Sequence, residues 1–231
     1  MFLQEKLINL DINQFKMQEQ TNNSQKREFF FRVVTTGNTN VGKSRVIYRF
    51  TTNRFHQVMR GPGFEFGIRE IQVNQKLIKF QLWDIYGSER YFIFILFYKT
   101  NQNTELGSIK LTAIRFQAVT RSYYRYADGI ILVYDITNRK SFLDIQKWYD
   151  VTQKYVKKGK PTYVLLGNKC DLENERQVTF EEGSELAATL GIAFFETSAK
   201  DGINVTEAYT HLALQMAHKV EAQENQPGKE K

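Results

Sequence analysis

Apolar residues in this chain fall into short runs, which are separated by segments with helical spacing. Four runs predict buried strands, at residues 29–34, 129–134, 162–166 and 192–195. Three segments predict amphipathic helices through their apolar faces: Val46, Ile47 and Phe50; then Phe142, Ile145, Trp148 and Tyr155; then Val205, Tyr209, Leu212 and Met216. Strands that alternate with helices predict an α/β domain, in which a parallel sheet is covered on both faces.

Two consecutive segments do not follow the order of one strand and then one helix. Residues 64–73 and 76–83 each alternate apolar with polar positions around Asn74-Gln75, which predicts a hairpin. Residues 1–28 are rich in Asn, Gln, Lys and Glu and lack periodicity, so we expect a disordered extension there. A single domain is expected over residues 29–221, followed by a flexible tail at 222–231.

The composition of the chain excludes several classes of protein. A chain of 231 residues suits one domain with a substantial core, and its single cysteine, Cys170, excludes a disulfide framework. No apolar run approaches the roughly 20 residues of a membrane span, and the first residues lack the basic and apolar regions typical of a signal peptide, so a cytoplasmic protein is expected. The net charge of +7 is scattered, which disfavours a nucleic-acid partner. Its one cluster, Lys154, Lys157, Lys158 and Lys160, is interpreted as a solvated helix end.

Residues 37–44, GNTNVGKS, match the phosphate-binding pattern G-x-x-x-x-G-K-[ST] between a predicted strand and a predicted helix. In such a loop, backbone N–H groups and a helix N-terminus point at phosphates. Lys43 adds a positive charge and is a candidate catalytic residue, and the Ser44 hydroxyl is a candidate ligand of Mg²⁺. The predicted nucleotide-binding residues here are Asn38, Asn40, Val41, Gly42, Lys43, Ser44 and Arg45.

Later strand ends carry further polar motifs. Asp84 closes a predicted strand, the usual place for the acid that holds Mg²⁺ beside a phosphate loop. In the N-K-x-D sequence, Asp171 can accept hydrogen bonds from N1–H and the exocyclic amino group of guanine, a donor pair that adenine lacks. The predicted base-binding residues are Asn168, Lys169, Asp171, Ser198, Ala199 and Lys200.

The order of these motifs resembles the Ras superfamily of small GTPases. The stretches RFQAVTRSYYRYADGIILVYDITNRKSF, LLGNKCDL and FFETSAKDG resemble its Rab branch, and the likeness covers about residues 29–220. The resemblance implies a P-loop NTPase fold: one small G domain whose mostly parallel central sheet has one antiparallel edge strand and is flanked by helices.

The same resemblance implies GTP or GDP and Mg²⁺ as cofactors. It implies effectors, exchange factors and GTPase-activating proteins as partners of a monomer. It also places Phe55 against the guanine and makes Asp135 a structural residue at a strand end.

Four features depart from the Rab pattern. Residues 56–63, HQVMRGPG, contain no Thr or Ser where the family places a threonine over Mg²⁺ and the γ-phosphate; Gly61 or Pro62 falls nearest. In the sequence DIYGSE, which replaces D-T-A-G-Q-E, Gly87 is retained as a candidate γ-phosphate donor. Ser88 stands in for the water-orienting glutamine and is a weak catalytic candidate, so slow hydrolysis is predicted. Tyr86 would crowd the phosphate site, and Asn40 replaces a glycine.

The fourth departure is an insertion at residues 91–115, which opens with eight apolar or aromatic residues. Its Phe, Tyr, Ile, Lys and Asn bias and splice-like codons available at both junctions favour a translated intron. A real lineage-specific loop is the alternative.

No cysteine lies near the end of the sequence, so no prenyl anchor is expected, and endomembrane association would depend on partners. The leading functional prediction is a Rab-like GTP/GDP switch in vesicle trafficking. The alternatives are a degenerate guanine-nucleotide-binding module without turnover and a mis-spliced product.

Overall fold

The computed structural model describes residues 27–55, 66–84, 123–157 and 159–225. Its strands are β1 (Arg27–Thr36), β2 (Phe66–Val73), β3 (Lys76–Asp84), β4 (Gly129–Asp135), β5 (Thr162–Asn168) and β6 (Ala193–Thr197). Its helices are α1 (Lys43–Thr52), α2 (Arg139–Leu143), α3 (Ile145–Tyr155), α4 (Phe180–Leu190) and α5 (Val205–Glu224), with a 3₁₀ turn at Glu173–Glu175. None of the helices in these ranges is long and apolar enough to cross a membrane.

The strands form one sheet in the order β2-β3-β1-β4-β5-β6. Every neighbouring pair is parallel except β2 with β3, so the sheet has one antiparallel edge strand, as predicted. Asn74 and Gln75 join β2 to β3 with φ of 47° and 60°. Positive φ at both central residues is what a two-residue hairpin turn with the right twist requires.

A hydrophobic core fills each face of the sheet. On one face α1 and α5 pack against it, and the rings of Phe50 and Tyr209 stack with centroids 3.8 Å apart. On the other face α2, α3 and α4 cover Ile130, Leu132 and Leu165, all fully buried. Between these two layers, the carboxyl ends of the parallel strands lie side by side at one end of the sheet, and polar residues occupy these positions.

The strands extend beyond their predicted limits. The apolar segments end at residues 83, 134, 166 and 195, whereas β3, β4, β5 and β6 continue to Asp84, Asp135, Asn168 and Thr197; of these, Asp84 and Asp135 agree with their expected places at strand ends. Backbone pairing continues through these polar residues because their side chains have hydrogen-bond partners at the carboxyl ends of the strands. β1 likewise begins at Arg27, two residues before the expected start of the domain.

The helices differ from the prediction in two places. The single helix predicted through Phe142 and Tyr155 is divided at Asp144, whose ψ of −6° interrupts the helical geometry. α4 was not predicted individually, although Thr179 and Glu182 form a capping box at its start. α5 ends at Glu224, three residues past the expected end of the domain.

Of the lysine cluster, Lys154, Lys157 and Lys160 are exposed around the end of α3, as expected. Several predictions concern residues outside the described ranges: Lys158, the N-terminal extension up to residue 26, both altered segments at 56–63 and 85–89, the insertion, and the tail from 226.

Candidate nucleotide-binding site

The loop between β1 and α1 is built around two glycines. Gly37 has φ of 141° and Gly42 has φ of 96°. A Cβ on Gly37 would lie 2.1 Å from the Val133 carbonyl oxygen, and one on Gly42 would lie 2.3 Å from Asn168 Nδ2. Glycine is therefore required at both positions, and the loop closes tightly on β4 and β5.

Lys43 is enclosed by this loop, with only 3% of its surface exposed. Its Nζ donates to the carbonyl oxygens of Gly37 and Asn38, both at 2.6 Å. The ammonium group thus lies in the concave side of the loop at the N-terminus of α1. A buried cation beside a helix N-terminus favours a bound phosphate.

The other loop residues point in different directions. Asn40 is exposed and adopts a left-handed conformation with φ of 65°. Val41 is buried, and its carbonyl oxygen accepts from Asn168 Nδ2 at 2.8 Å. The side chain of Asn38 turns toward α3, where its Oδ1 accepts from Trp148 Nε1 at 2.6 Å. The side chain of Asn38 is thus bound to α3, and its backbone N–H and that of Val41 remain the groups with which these two residues could contact a phosphate.

Ser44 and Asp84 lie together beside the loop. The Ser44 hydroxyl donates to the Asp84 carboxylate, which is 4% exposed, and the register of the sheet pairs Thr35 with Asp84. A hydroxyl and a carboxylate in contact provide the hard oxygen ligands that Mg²⁺ prefers. The two residues predicted to bind the metal thus fit a Mg²⁺ ion, which they would hold beside the phosphate loop.

Asn168 connects the base motif to the phosphate loop. While its Nδ2 donates to Val41, its Oδ1 accepts from Thr197 Oγ1 at 3.2 Å, and the residue is 1% exposed. Lys169 has φ of 69°, and its Nζ lies 2.5 Å from Asp135 Oδ2. Asp135 also accepts from the backbone N–H and hydroxyl of Thr137, which agrees with the structural role implied for it.

Asp171 faces the S-A-K sequence. Its Oδ1 accepts from Ser198 Oγ at 2.7 Å, and its Oδ2 lies 3.9 Å from Lys200 Nζ. This carboxylate, 9% exposed, offers acceptor oxygens only, which suit the two N–H donors on the edge of guanine. Ala199 is 4% exposed, and its carbonyl oxygen accepts from Arg49 Nε at 2.7 Å. A second N–H of Arg49 donates to the Lys200 carbonyl, so α1 also positions this loop.

Phe55 is half-buried after α1, and the guanidinium of Arg45 lies 5.5 Å from the centroid of its ring. Contact between Phe55 and the base remains a prediction. Gly87 and Ser88 fall outside the described residues, so the structure does not place these two candidates.

Cys170 is the one cysteine of the chain and lies inside the base motif. Burial raises the pKa of its thiol to about 11, and the nearby carboxylates of Glu196 and Asp171 contribute further. The thiol is therefore neutral at physiological pH.

Several residues that position the site were missed from the sequence. Arg49 holds the S-A-K backbone, Thr197 holds Asn168, and Asp144 and Trp148 hold Asn38. Trp148 was recognised only as part of an apolar helix face. Thr197 stands in the FFETSAKDG stretch with no role assigned to it there, and the other three belong to no short motif, so only their position in three dimensions reveals their role.

A phosphate loop after β1 and a guanine-selective sequence after β5, joined by the Asn168 side chain, define a P-loop GTP-binding protein. Comparison with known proteins agrees: the Ras family model matches residues 32–106 and 112–218. The human Ras-related protein Rab-39A is 39% identical over 189 residues, which cover 79% of this chain and 75% of that protein.

Two further relatives are similarly close. The GTP-binding protein ypt2 of Schizosaccharomyces pombe is 35% identical over 191 residues, with 82% of each chain covered. The Ras-related protein Rab-8A of Gallus gallus is 36% identical over 195 residues, which cover 84% of this chain and 82% of that protein. The chain belongs to the Ras family of small GTPases, within its Rab branch.

Proposed function

We propose that this protein is a Rab-type guanine-nucleotide switch in vesicle trafficking that binds GDP and GTP with Mg²⁺ and hydrolyses GTP slowly. The observation that carries the proposal is the 2.8 Å hydrogen bond from Asn168 Nδ2 to the Val41 carbonyl. It fixes the phosphate loop against the base motif, so phosphate and guanine contacts are available to one ligand at the same time.

Each part of the site has a role in binding. Backbone N–H groups at the start of α1 and the Lys43 ammonium hold the phosphates. Ser44 and Asp84 would hold Mg²⁺, which supplies positive charge to the phosphate oxygens when it is bound. Asp171 selects guanine, because adenine would leave its nearly buried carboxylate unpaired at a cost of about 2–5 kcal/mol.

Slow hydrolysis follows from the sequence of the two altered segments. Phosphoryl transfer depends on positioning and electrostatics, and a residue that orients the attacking water is one of its recurring parts. Ser88 has too short a side chain to replace glutamine from the same backbone position. No threonine or serine at residues 56–63 is available to close over the metal.

A partly exposed aromatic cluster supports a protein effector as partner. Phe66 on β2 and Trp83 on β3 have ring centroids 4.8 Å apart, and Trp83 and Tyr123 have centroids 4.9 Å apart. Phe66 is 38% exposed, and Ile68 beside it is 64% exposed. Apolar and aromatic surface of this kind is typical of docking sites for other proteins. We expect such partners to bring the protein to endomembranes.

A single-turnover experiment tests the proposal. The purified chain would be loaded with GTP, and product formation and the dissociation constants for GDP, GTP and ADP would be measured. We expect guanine nucleotides to bind at least 100-fold more tightly than ADP, and hydrolysis to be at least tenfold slower than in Rab-8A assayed in parallel. Ser88→Gln is expected to accelerate hydrolysis. Equal affinity for ADP and GDP would contradict the proposal.

A second candidate function is a guanine-nucleotide-binding module that does not switch. The replacement of both the threonine and the glutamine favours it, because these residues respond to the γ-phosphate in the family that this chain resembles. If effector fragments captured from a partner screen bind the GDP and GTP forms equally, and no activating protein stimulates hydrolysis, this candidate replaces the switch.

A further inference from the structure

The side chain of Asn38 is held on both of its polar atoms. Its Nδ2 donates to Asp144 Oδ2 at 2.7 Å, and its Oδ1 accepts from Trp148 Nε1 at 2.6 Å. Both partners lie more than 100 positions away in the chain, and all three side chains are half-buried. We call Asn38, Asp144 and Trp148 the amide clamp.

Asp144 occupies a position where its carboxylate would ordinarily serve α3. It is the N-cap residue of that helix, yet its side chain makes no capping hydrogen bond, since its φ of −79° and ψ of −6° differ from the extended backbone that a capping residue typically adopts. An aspartate at an N-cap typically contributes about 1 kcal/mol by accepting from the first turn. In this protein the carboxylate is directed at the phosphate loop instead.

The backbone of Asn38 connects the clamp to the chemistry of the site. Its carbonyl oxygen is one of the two that accept from Lys43 Nζ, at 2.6 Å. The Asn38 side chain fixes the orientation of its own peptide group, and the peptide group in turn orients the ammonium.

We propose that Asp144 and Trp148 are positioning residues for the nucleotide, because they hold the phosphate loop through Asn38 and thereby slow nucleotide release. The inference rests on the guanine-nucleotide binding proposed above. It assigns α3, which has no predicted contact with the nucleotide, a part in retaining it.

The dissociation rate of a fluorescent GDP tests the clamp. Full-length variants would be loaded with N-methylanthraniloyl-GDP and chased with excess GDP. Asn38→Asp brings two carboxylates within hydrogen-bond distance, so we expect release at least tenfold faster than in the wild type. Trp148→Phe keeps the ring but loses the Nε1–H donor, and we expect release about threefold faster.

A double variant that exchanges the amide of Asn38 with the carboxylate of Asp144 distinguishes a role of the amide clamp from other effects on nucleotide release. In Asn38→Asp/Asp144→Asn, the carboxylate at position 38 can accept from both the new amide and Trp148 Nε1. We expect its release rate to return to within threefold of the wild type. If Asn38→Asp acts instead by repelling the phosphates, the double variant stays as fast as the single one, and the inference is wrong.

Asp150→Asn is the matched control for Asp144→Asn. Asp150 lies on the same helix, is exposed and bonds only Gln146 among the described residues, at 2.9 Å. We expect Asp144→Asn to accelerate release severalfold and Asp150→Asn to leave it unchanged; equal rates for these two variants overturn the inference.

Two more outcomes are decisive. If Asn38→Asp does not fold, Trp148→Phe and Asp144→Asn decide, and wild-type rates in both overturn the inference. A wild-type chain that fails to retain the fluorescent GDP overturns the proposed function itself. A wild-type chain that retains it, with unchanged variants, overturns only the role of the clamp.

Discussion

Asp171 determines the choice of base through the hydrogen bonds that its carboxylate can accept. Replacing it with asparagine leaves one acceptor and introduces donors, which match the N1–H and C2 carbonyl of xanthine. We predict that Asp171→Asn weakens GDP binding by about 2 kcal/mol or more, roughly thirtyfold, and strengthens binding of xanthosine diphosphate. Titration with both nucleotides measures this. Asp201→Asn, at an exposed neighbouring residue, should change neither affinity.

Asn40 shows how a non-glycine residue is accommodated in the phosphate loop. Its φ of 65° is left-handed, a conformation that asparagine tolerates better than most residues. We predict that Asn40→Ala lowers the free energy of unfolding by about 1 kcal/mol. Asn40→Gly should stay within about 0.5 kcal/mol, because relief of strain is offset by greater freedom of the unfolded chain. Urea unfolding measures both, and equal losses would contradict the assignment of strain to Cβ.

Cys170 gives a prediction about pH. Its folded-state pKa of about 11 lies above the unfolded value, so the folded form favours the neutral thiol. Alkylation by iodoacetamide should be slow at pH 8 in the native protein and rise about tenfold per pH unit below the pKa. The same shift contributes stability at neutral pH that is lost as the pH rises from about 9 through 11. Cys170→Ala should therefore lose less stability than the wild type over that range.

At the scale of elements, α4 packs against the sheet through two glycines and Tyr134. A Cβ on Gly167 of β5 would lie 2.7 Å from the Tyr134 hydroxyl oxygen, and one on Gly183 of α4 would lie 2.4 Å from it. The hydroxyl is buried and has no hydrogen-bond partner among the described residues, and burial raises its pKa. The two glycines thus allow α4 to pack closely against the sheet, and this packing leaves the Tyr134 hydroxyl without a hydrogen-bond partner among the described residues.

This contact can be tested with a matched pair of substitutions. Tyr134→Phe removes an unpaired buried hydroxyl, so we predict a free energy of unfolding that is unchanged or higher by up to about 1 kcal/mol. The hydroxyl of Tyr163 on β5 lies 3.0 Å from Thr152 Oγ1, and Tyr163→Phe should cost about 1 kcal/mol. Thermal unfolding of both variants checks the contrast; a large loss in Tyr134→Phe would indicate a partner for its hydroxyl.

The elements also show what the sequence could and could not predict. Apolar runs located β1, β4, β5 and β6, because burial on both faces of the sheet leaves a continuous signal, and apolar-polar alternation located β2 and β3. The apolar pattern stops one or two residues short of the ends of β3, β4 and β5, since Asp84, Asp135 and Asn168 are polar yet stay in the backbone ladder, and only the motifs and the family resemblance place these residues at strand ends. α4 escaped individual prediction although Thr179 and Glu182 mark its start.

Within the site, residues of contiguous motifs could be predicted from the sequence, because their short spacing alone brings their functional groups together. Lys43 with Ser44, and Asn168 with Asp171, were identified in this way. Arg49 and Asp144 could not be, because their roles depend on contacts to backbone or side chains more than 100 positions away. Only the assembled sheet and helices bring these partners together.

At the scale of the whole molecule, the predicted site draws on the ends of β1, β3, β5 and β6 together with α1. A ligand that needs all of these elements binds the folded state alone and stabilises it by mass action. We predict that GDP at 100 times its dissociation constant adds about 2.7 kcal/mol, which raises the melting temperature by roughly 5–10 °C. ADP at the same concentration should add no more than about 0.4 kcal/mol, and Lys43→Ala should abolish the shift given by GDP. Differential scanning fluorimetry with Mg²⁺ measures all three.

The start of β1 and the end of α5 are joined directly. Arg27 forms an ion pair with Glu224, and Lys76 Nζ lies 2.9 Å from Glu221 Oε2. The predicted nucleotide site lies at the carboxyl ends of the parallel strands, which we call the nucleotide edge. The ten residues of β1 separate this edge from the junction by about 30 Å, the length of an extended strand of that size. A short linker could therefore close the domain into a ring, and a circular permutant opened at the Asn74-Gln75 turn should leave the nucleotide edge intact. The same geometry suits surface immobilisation at this junction, with the nucleotide edge facing the solution.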